Sequence, residues 1–157
     1  MPSAYLDALK MLARRELSEA QVRQRLARRG HEADAVEQAI EKLRTERALD
    51  DERVAETIAR TQSLARGRGK FRVRQEIEAA GIGRAVADRA VAEAFKDVDS
   101  NALLDAAIAR RLRGRTGAFD DRVFKRLFRY LVGQGFEPDR VLRALKARLG
   151  RGPDPSD

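Results

Sequence analysis

Apolar side chains recur along this chain at helical intervals. Leu6, Leu9 and Leu12 fall three apart with Ala13 beside them, which predicts a first helix near residues 3–15 that buries this face and ends on Arg14 and Arg15, where the macrodipole favours cations. Ser18, Glu19, Ala20 and Gln21 make a capping-box pattern, in which the Ser hydroxyl accepts a backbone N–H and Gln21 reaches back. The helix it opens buries Val22 and Leu26 before Gly30, and a third helix carries Val36, Ala39, Ile40 and Leu43 on one face.

The pattern repeats on Gly30, Gly81 and Gly135, spaced 51 and 54 residues apart. Eight positions before each Gly stand Val22, Val73 and Leu127; four before stand Leu26, Ile77 and Leu131. Nine and ten after stand Ala39-Ile40, Ala90-Val91 and Ala144-Leu145. Each Gly is expected to end a helix in the left-handed conformation, and the next residue, His31, Ile82 or Phe136, fills the place where such a turn makes an apolar contact. Leading helices fall near residues 3–15, 51–65 and 100–113, so each repeat holds three helices and the chain nine. The expected fold is all-α: three tandem three-helix repeats, 1–48, 49–97 and 98–149, stacked into an elongated, curved, solenoid-like array, because a unit of this size cannot easily bury its own faces. The segment 150–157, with Pro153 and Pro155, is expected to be a disordered tail.

Composition narrows the function. Cysteine is absent, which removes disulfides, thiolate metal sites and Cys nucleophiles, and makes a cytoplasmic location the natural expectation. No stretch reads as a signal peptide or a membrane span. The 33 Lys+Arg against 25 Asp+Glu give a formal charge of +8, and the surplus is uneven: residues 98–157 carry +5, against +2 for 1–48 and +1 for 49–97. With 27 Arg among the cations, coding bias explains Arg abundance as readily as guanidinium chemistry does.

Four motifs then stand out: Leu12-Ala13-Arg14-Arg15-Glu16 followed by Ser18; Leu26-Ala27-Arg28-Arg29-Gly30; Ala48-Leu49-Asp50-Asp51-Glu52-Arg53-Val54-Ala55; and Arg72-Val73-Arg74-Gln75-Glu76-Ile77 running to Gly81-Ile82. In this order they resemble the RecX regulators of the RecA recombinase, whose third repeat is matched here only in pattern. Val54 departs from the family's usual aromatic and Gly83 from its usual capping residue. The resemblance implies a non-catalytic, monomeric modulator that lies in the groove of a RecA filament on single-stranded DNA and reduces its ATPase, recombinase and coprotease activities, and thereby modulates recombination and DNA repair. It implies no cofactor and no metal. The alternative is a helical protein that binds DNA directly, without the recombinase; a weak direct nucleic-acid contact is compatible with both.

Three basic clusters are candidate contacts. Arg122, Lys125, Arg126 and Arg129 repeat at i, i+3, i+4 and i+7 opposite an apolar face, either a partner surface or a solvated helix face. Arg66, Arg68, Lys70, Arg72 and Arg74 alternate through a Gly-interrupted linker suited to phosphate or an acidic loop, or serve a hinge. Arg25, Arg28 and Arg29 crowd a helix end, where the macrodipole alone accounts for them. Gly69-Lys70 is not a P-loop, since Leu64 and Phe71 occupy the places of its first Gly and its Ser/Thr. Asp50-Asp51-Glu52 and Asp120-Asp121 read as helix starts rather than metal or acid–base sites. The lone histidine, His31, reads as packing, and Phe124 and Phe128 as core with Leu131 rather than as base-stacking platforms.

Overall fold

Capping and periodicity set the helices, and the computed structural model describes them over residues 3–115, 117 and 119–150. Nine α-helices follow in order among these residues: α1 (Ala4–Arg14), α2 (Glu19–Arg28), α3 (Ala33–Thr45), α4 (Asp51–Arg60), α5 (Lys70–Ala79), α6 (Arg84–Phe95), α7 (Ser100–Leu112), α8 (Asp121–Gly133) and α9 (Pro138–Gly150). No strand occurs among the described residues. The expected helix 51–65 is α-helical only to Arg60 and widens to a π-helix over Thr61–Ala65, where Arg66 N–H donates to Thr61 O at 3.1 Å. Gly150 closes α9, and the rest of the expected tail, 151–157, lies outside the described residues.

The helices gather into two compact units, Met1–Ala59 with Arg74–Ala92, and Arg60–Val73 with Glu93–Asp157. In the first, α1, α2 and α3 enclose a core of Met11, Leu17, Val22, Leu26, Val36, Ile40 and Leu43. Full burial of each large side chain stabilises by about 1.5–3 kcal/mol. The capping box at Ser18 forms as the sequence predicts: Gln21 N–H donates to Ser18 Oγ at 3.1 Å and Ser18 N–H to Gln21 Oε1 at 3.0 Å. Ser18 Oγ donates in turn to Ala80 O, joining the start of α2 to the end of α5. The helix end is also as expected: Gly30 has φ +89°, its N–H donates to Ala27 O, and His31 N–H donates to Leu26 O at 3.2 Å, a Schellman turn.

The face expected for α1 is wrong. Leu6 is exposed and Leu9 and Leu12 are only half-buried, while Ala4, Asp7, Ala8 and Met11 point inward. A three-residue spacing drifts around a helix of 3.6 residues per turn, whereas 4, 7, 8 and 11 hold one stripe. The stripe was hidden because Met11 is its one large apolar member, beside two alanines and a carboxylate. Asp7 is tolerated there because His31 Nε2 lies 2.6 Å from its Oδ2 and an Arg29 nitrogen 3.4 Å from Oδ1. His31 therefore packs in its turn, as expected, and also pairs.

In the second unit, α7, α8 and α9 surround Leu104, Ile108, Leu127, Leu131, Phe136, Val141 and Leu145, with Phe124 and Phe128 half-buried against them. Gly69 N–H donates to Gln134 O at 2.9 Å and Phe71 N–H to Gly135 O at 3.1 Å, so the 66–69 linker and the start of α5 are fastened to the turn after α8. Gly135, at φ +96°, is held so closely that a Cβ there would fall 2.3 Å from Arg72 N.

Candidate anion-binding surface

The two units differ in charge more sharply than the sequence repeats do. Residues 1–59 and 74–92 carry 14 basic and 15 acidic side chains, whereas residues 60–73 and 93–157 carry 19 and 10. The whole positive surplus belongs to the second unit, because the linker cations join the C-terminal helices there.

Internal pairing sorts the candidate cations. In the first unit, Arg29 meets buried Asp7 and Arg74 pairs with Asp88. Arg25 and Arg28 stand exposed in the last turn of α2, where they complement the helix C-terminus, without an acidic partner among the described residues. The neighbouring surface is already neutralised: Arg23 bonds Glu37 at 2.6 Å and Arg44 bonds Glu19 at 2.7 Å, holding both carboxyls below their usual range through those hydrogen bonds.

In the second unit, Arg68 donates to Gln62 Oε1 at 2.7 Å, Lys70 Nζ lies 5.9 Å from the Phe95 ring centre, and Arg72 is half-buried with its backbone against Gly135. Arg66 projects exposed from the end of the π-helix. On α8, Val123, Leu127 and Leu131 are buried while Arg122, Lys125, Arg126 and Arg129 are all exposed on the opposite side. Asp120 caps this helix, accepting from Val123 N–H at 3.0 Å; that bond, and the nearby backbone and charge of Arg122, hold its carboxyl low. Lys125, Arg126 and Arg129 have no ion-pair partner among the described residues.

The structure also brings together cations that the sequence pattern did not single out. Arg66, Gly67, Ala107, Arg110, Arg111, Tyr130, Gln134 and Phe136 line an open cleft of about 260 Å³ within the second unit. Arg110 and Arg111 stand in the last turn of α7, where their charge complements the helix C-terminus. Only the folding of the 66–69 linker onto α8 sets Arg66 beside them.

Asp50 and Asp120 cap their own helices, as the helix-start reading expects, whereas Asp51, in the first turn of α4, serves a different helix. Asp50 accepts from Arg53 N–H at 3.2 Å at the start of α4, and Asp51 accepts from Glu19 N–H at 2.9 Å at the start of α2. Burial pushes the Asp51 carboxyl up, against the lowering effect of that bond. No group of three or more His, Asp or Glu able to hold a metal occurs among the described residues.

Known proteins match this arrangement over most of its length. Residues 4–43 fit the family model of the first three-helix domain of RecX, and residues 50–91 that of the second. A Halorhodospira halophila protein named regulatory protein RecX is 36% identical over 141 residues, covering 89% of this chain and 84% of that one. The chain belongs to the RecX family. A RecX from Syntrophotalea carbinolica is 48% identical over a shorter stretch, 41% of this chain and 42% of its own length. A crystal structure of RecX from Lactobacillus salivarius superposes with a TM-score of 0.74 over 94% of both chains at 19% identity, and another RecX crystal structure with 0.72 over 92% of this chain and 70% of its own at 23% identity. At such identities the superpositions speak for the RecX fold alone, including α7–α9. No helix among the described residues is long and apolar enough to cross a membrane.

Proposed function

We propose that this chain is a non-catalytic cytoplasmic regulator that binds the RecA filament on single-stranded DNA in its groove. There it inhibits the filament's ATPase, recombinase and coprotease activities and so restrains recombination and repair. The observation that carries this reading is family membership over nearly the whole chain, at 36% identity to a protein named as a RecX regulator. The charge distribution supports it, because a filament wrapped on DNA offers phosphate and carboxylate at a regular spacing, and several modest cationic contacts to one polymer add as avidity. The principal contacts are the exposed α8 stripe and the cations of the 66–69 linker and the first turn of α5. Arg25 and Arg28 are secondary, and Arg29 and Arg74 serve mainly within the fold.

A second reading, direct DNA binding without recombinase, draws on the exposed cations of the second unit. The two separate by measurement. Tight binding to naked single strands, unaffected by recombinase, supports direct binding; weak binding that tightens on filaments supports the regulator. Co-sedimentation with filaments together with loss of their ATPase is the expected result, and the absence of both overturns the proposal.

A further inference from the structure

We propose that the cleft between the end of α7, α8 and the 66–69 linker is a phosphate site that takes the backbone of a single nucleic-acid strand. This does not rest on the filament reading, since it concerns a naked strand. Three guanidiniums from two elements, Arg66, Arg110 and Arg111, line one concavity, and among the described residues no carboxylate lines it with them. None of the three has an acidic partner among the described residues. Like charges gathered in this way repel one another until an anion enters, so the arrangement favours a polyvalent acceptor such as phosphate.

The local fold is shaped around these cations. Gly67 sits at φ +61°, which favours Gly, and a Cβ on it would fall 2.4 Å from an Arg110 guanidinium nitrogen and push that side chain from its place. The Arg111 guanidinium stacks over the Tyr130 ring at 4.3 Å, which orients it without neutralising it. The linker bonds to Gln134 O and Gly135 O fix Arg66's segment against the same wall. A strand rather than an acidic peptide is favoured by the neighbouring aromatic: Phe71 is more than half exposed (56%) on the residue whose N–H bonds Gly135, next to lining residues Gln134 and Phe136, where an unpaired base has a face to stack on. A stacked duplex presents no such base.

The test is fluorescence anisotropy of a labelled oligothymidylate titrated with the full chain over a range of salt. Arg110→Ala with Arg111→Ala should weaken binding about tenfold or more, and flatten the dependence of log affinity on log salt by about 0.7 for each phosphate left without its cation. Gly67→Ala, which displaces Arg110 while leaving the net charge at +8, should weaken binding without the loss of a cation; far-UV circular dichroism checks that both variants stay folded. Unchanged affinity and salt slope in the double variant overturn the site. So does equal affinity for duplex, or displacement of the strand by micromolar mononucleotide, which would make the cleft a nucleotide pocket. Loss of filament binding in the double variant with oligothymidylate affinity intact would assign the cleft to a protein surface and equally overturn the proposal.

Discussion

Three glycines in one sequence pattern carry different burdens. Gly30, Gly81 and Gly135 all take positive φ, which the repeat made legible. Their surroundings were not legible, because they depend on what packs on each turn. A Cβ at Gly30 meets nothing within 4 Å, at Gly81 it falls 2.5 Å from Ala20 Cβ, and at Gly135 it meets the Arg72 backbone. Alanine at Gly30 should therefore cost only the left-handed penalty of about 1–2 kcal/mol. At Gly81 the cost should be larger, and at Gly135 it should reach about 3 kcal/mol or more, because the linker itself must move. Urea unfolding of the three variants checks the order; equal losses would contradict it. Asp7 carries a second prediction. The bond to His31, and after it the charge of Arg29, hold its carboxyl below the usual range although burial pushes the other way. Its contribution is thus present above the unfolded value near pH 4, by the usual reference of about 3.9, and is lost as pH falls through the lower folded value. Asp7→Asn should be less stable than the parent at pH 7, with the gap narrowing at pH 3. A gap of the same size at both pH values would show that the carboxylate charge is not what holds α1.

At the scale of elements, helix starts and ends were the readable part, since capping and left-handed turns are local chemistry: Ser18, Gly30, Asp120 and Gly135 all act as their sequence context implies. The face of α1 went astray for a nonlocal reason. The inward face of α1 includes a buried His–Asp pair formed across 24 residues, and an aspartate on the stripe masks its apolar signal in the sequence. The turn after α3 passes through Arg47 at φ +59°, a position without Gly, where Arg53 Nη1 donates to Arg47 O at 3.1 Å and steadies a conformation that the sequence did not announce. The α8 stripe was legible as a face, because Val123, Leu127 and Leu131 fix which side turns inward. Reversing Arg126 and Arg129 to Glu should weaken binding to recombinase filaments at least several-fold while leaving helix content unchanged, since both side chains are exposed. Filament co-sedimentation reads this out, and undiminished binding would move the contact to the linker or the first unit.

For the molecule as a whole, the plan of nine α-helices and no strand among the described residues was legible from the repeat; family models match its first two three-helix domains, and solved RecX folds superpose on most of the chain. The grouping of charge was not. Counted by repeat, the surplus is spread over all three; counted by compact unit, it is confined to one, because residues 60–73 of the middle repeat fold with the third. The same regrouping creates the Arg66–Arg110–Arg111 cleft, in which Arg66 lies more than 40 residues from the other two in sequence. Electrostatic binding of this chain should therefore be a property of its second unit and fall steeply with salt. The most direct measurement of the central claim is the ATPase rate of RecA on single-stranded DNA as this chain is added. A regulator of the filament lowers the rate progressively, with the inhibition weakened in the Arg126→Glu, Arg129→Glu variant; a rate unaffected at any ratio of chain to recombinase would contradict the account.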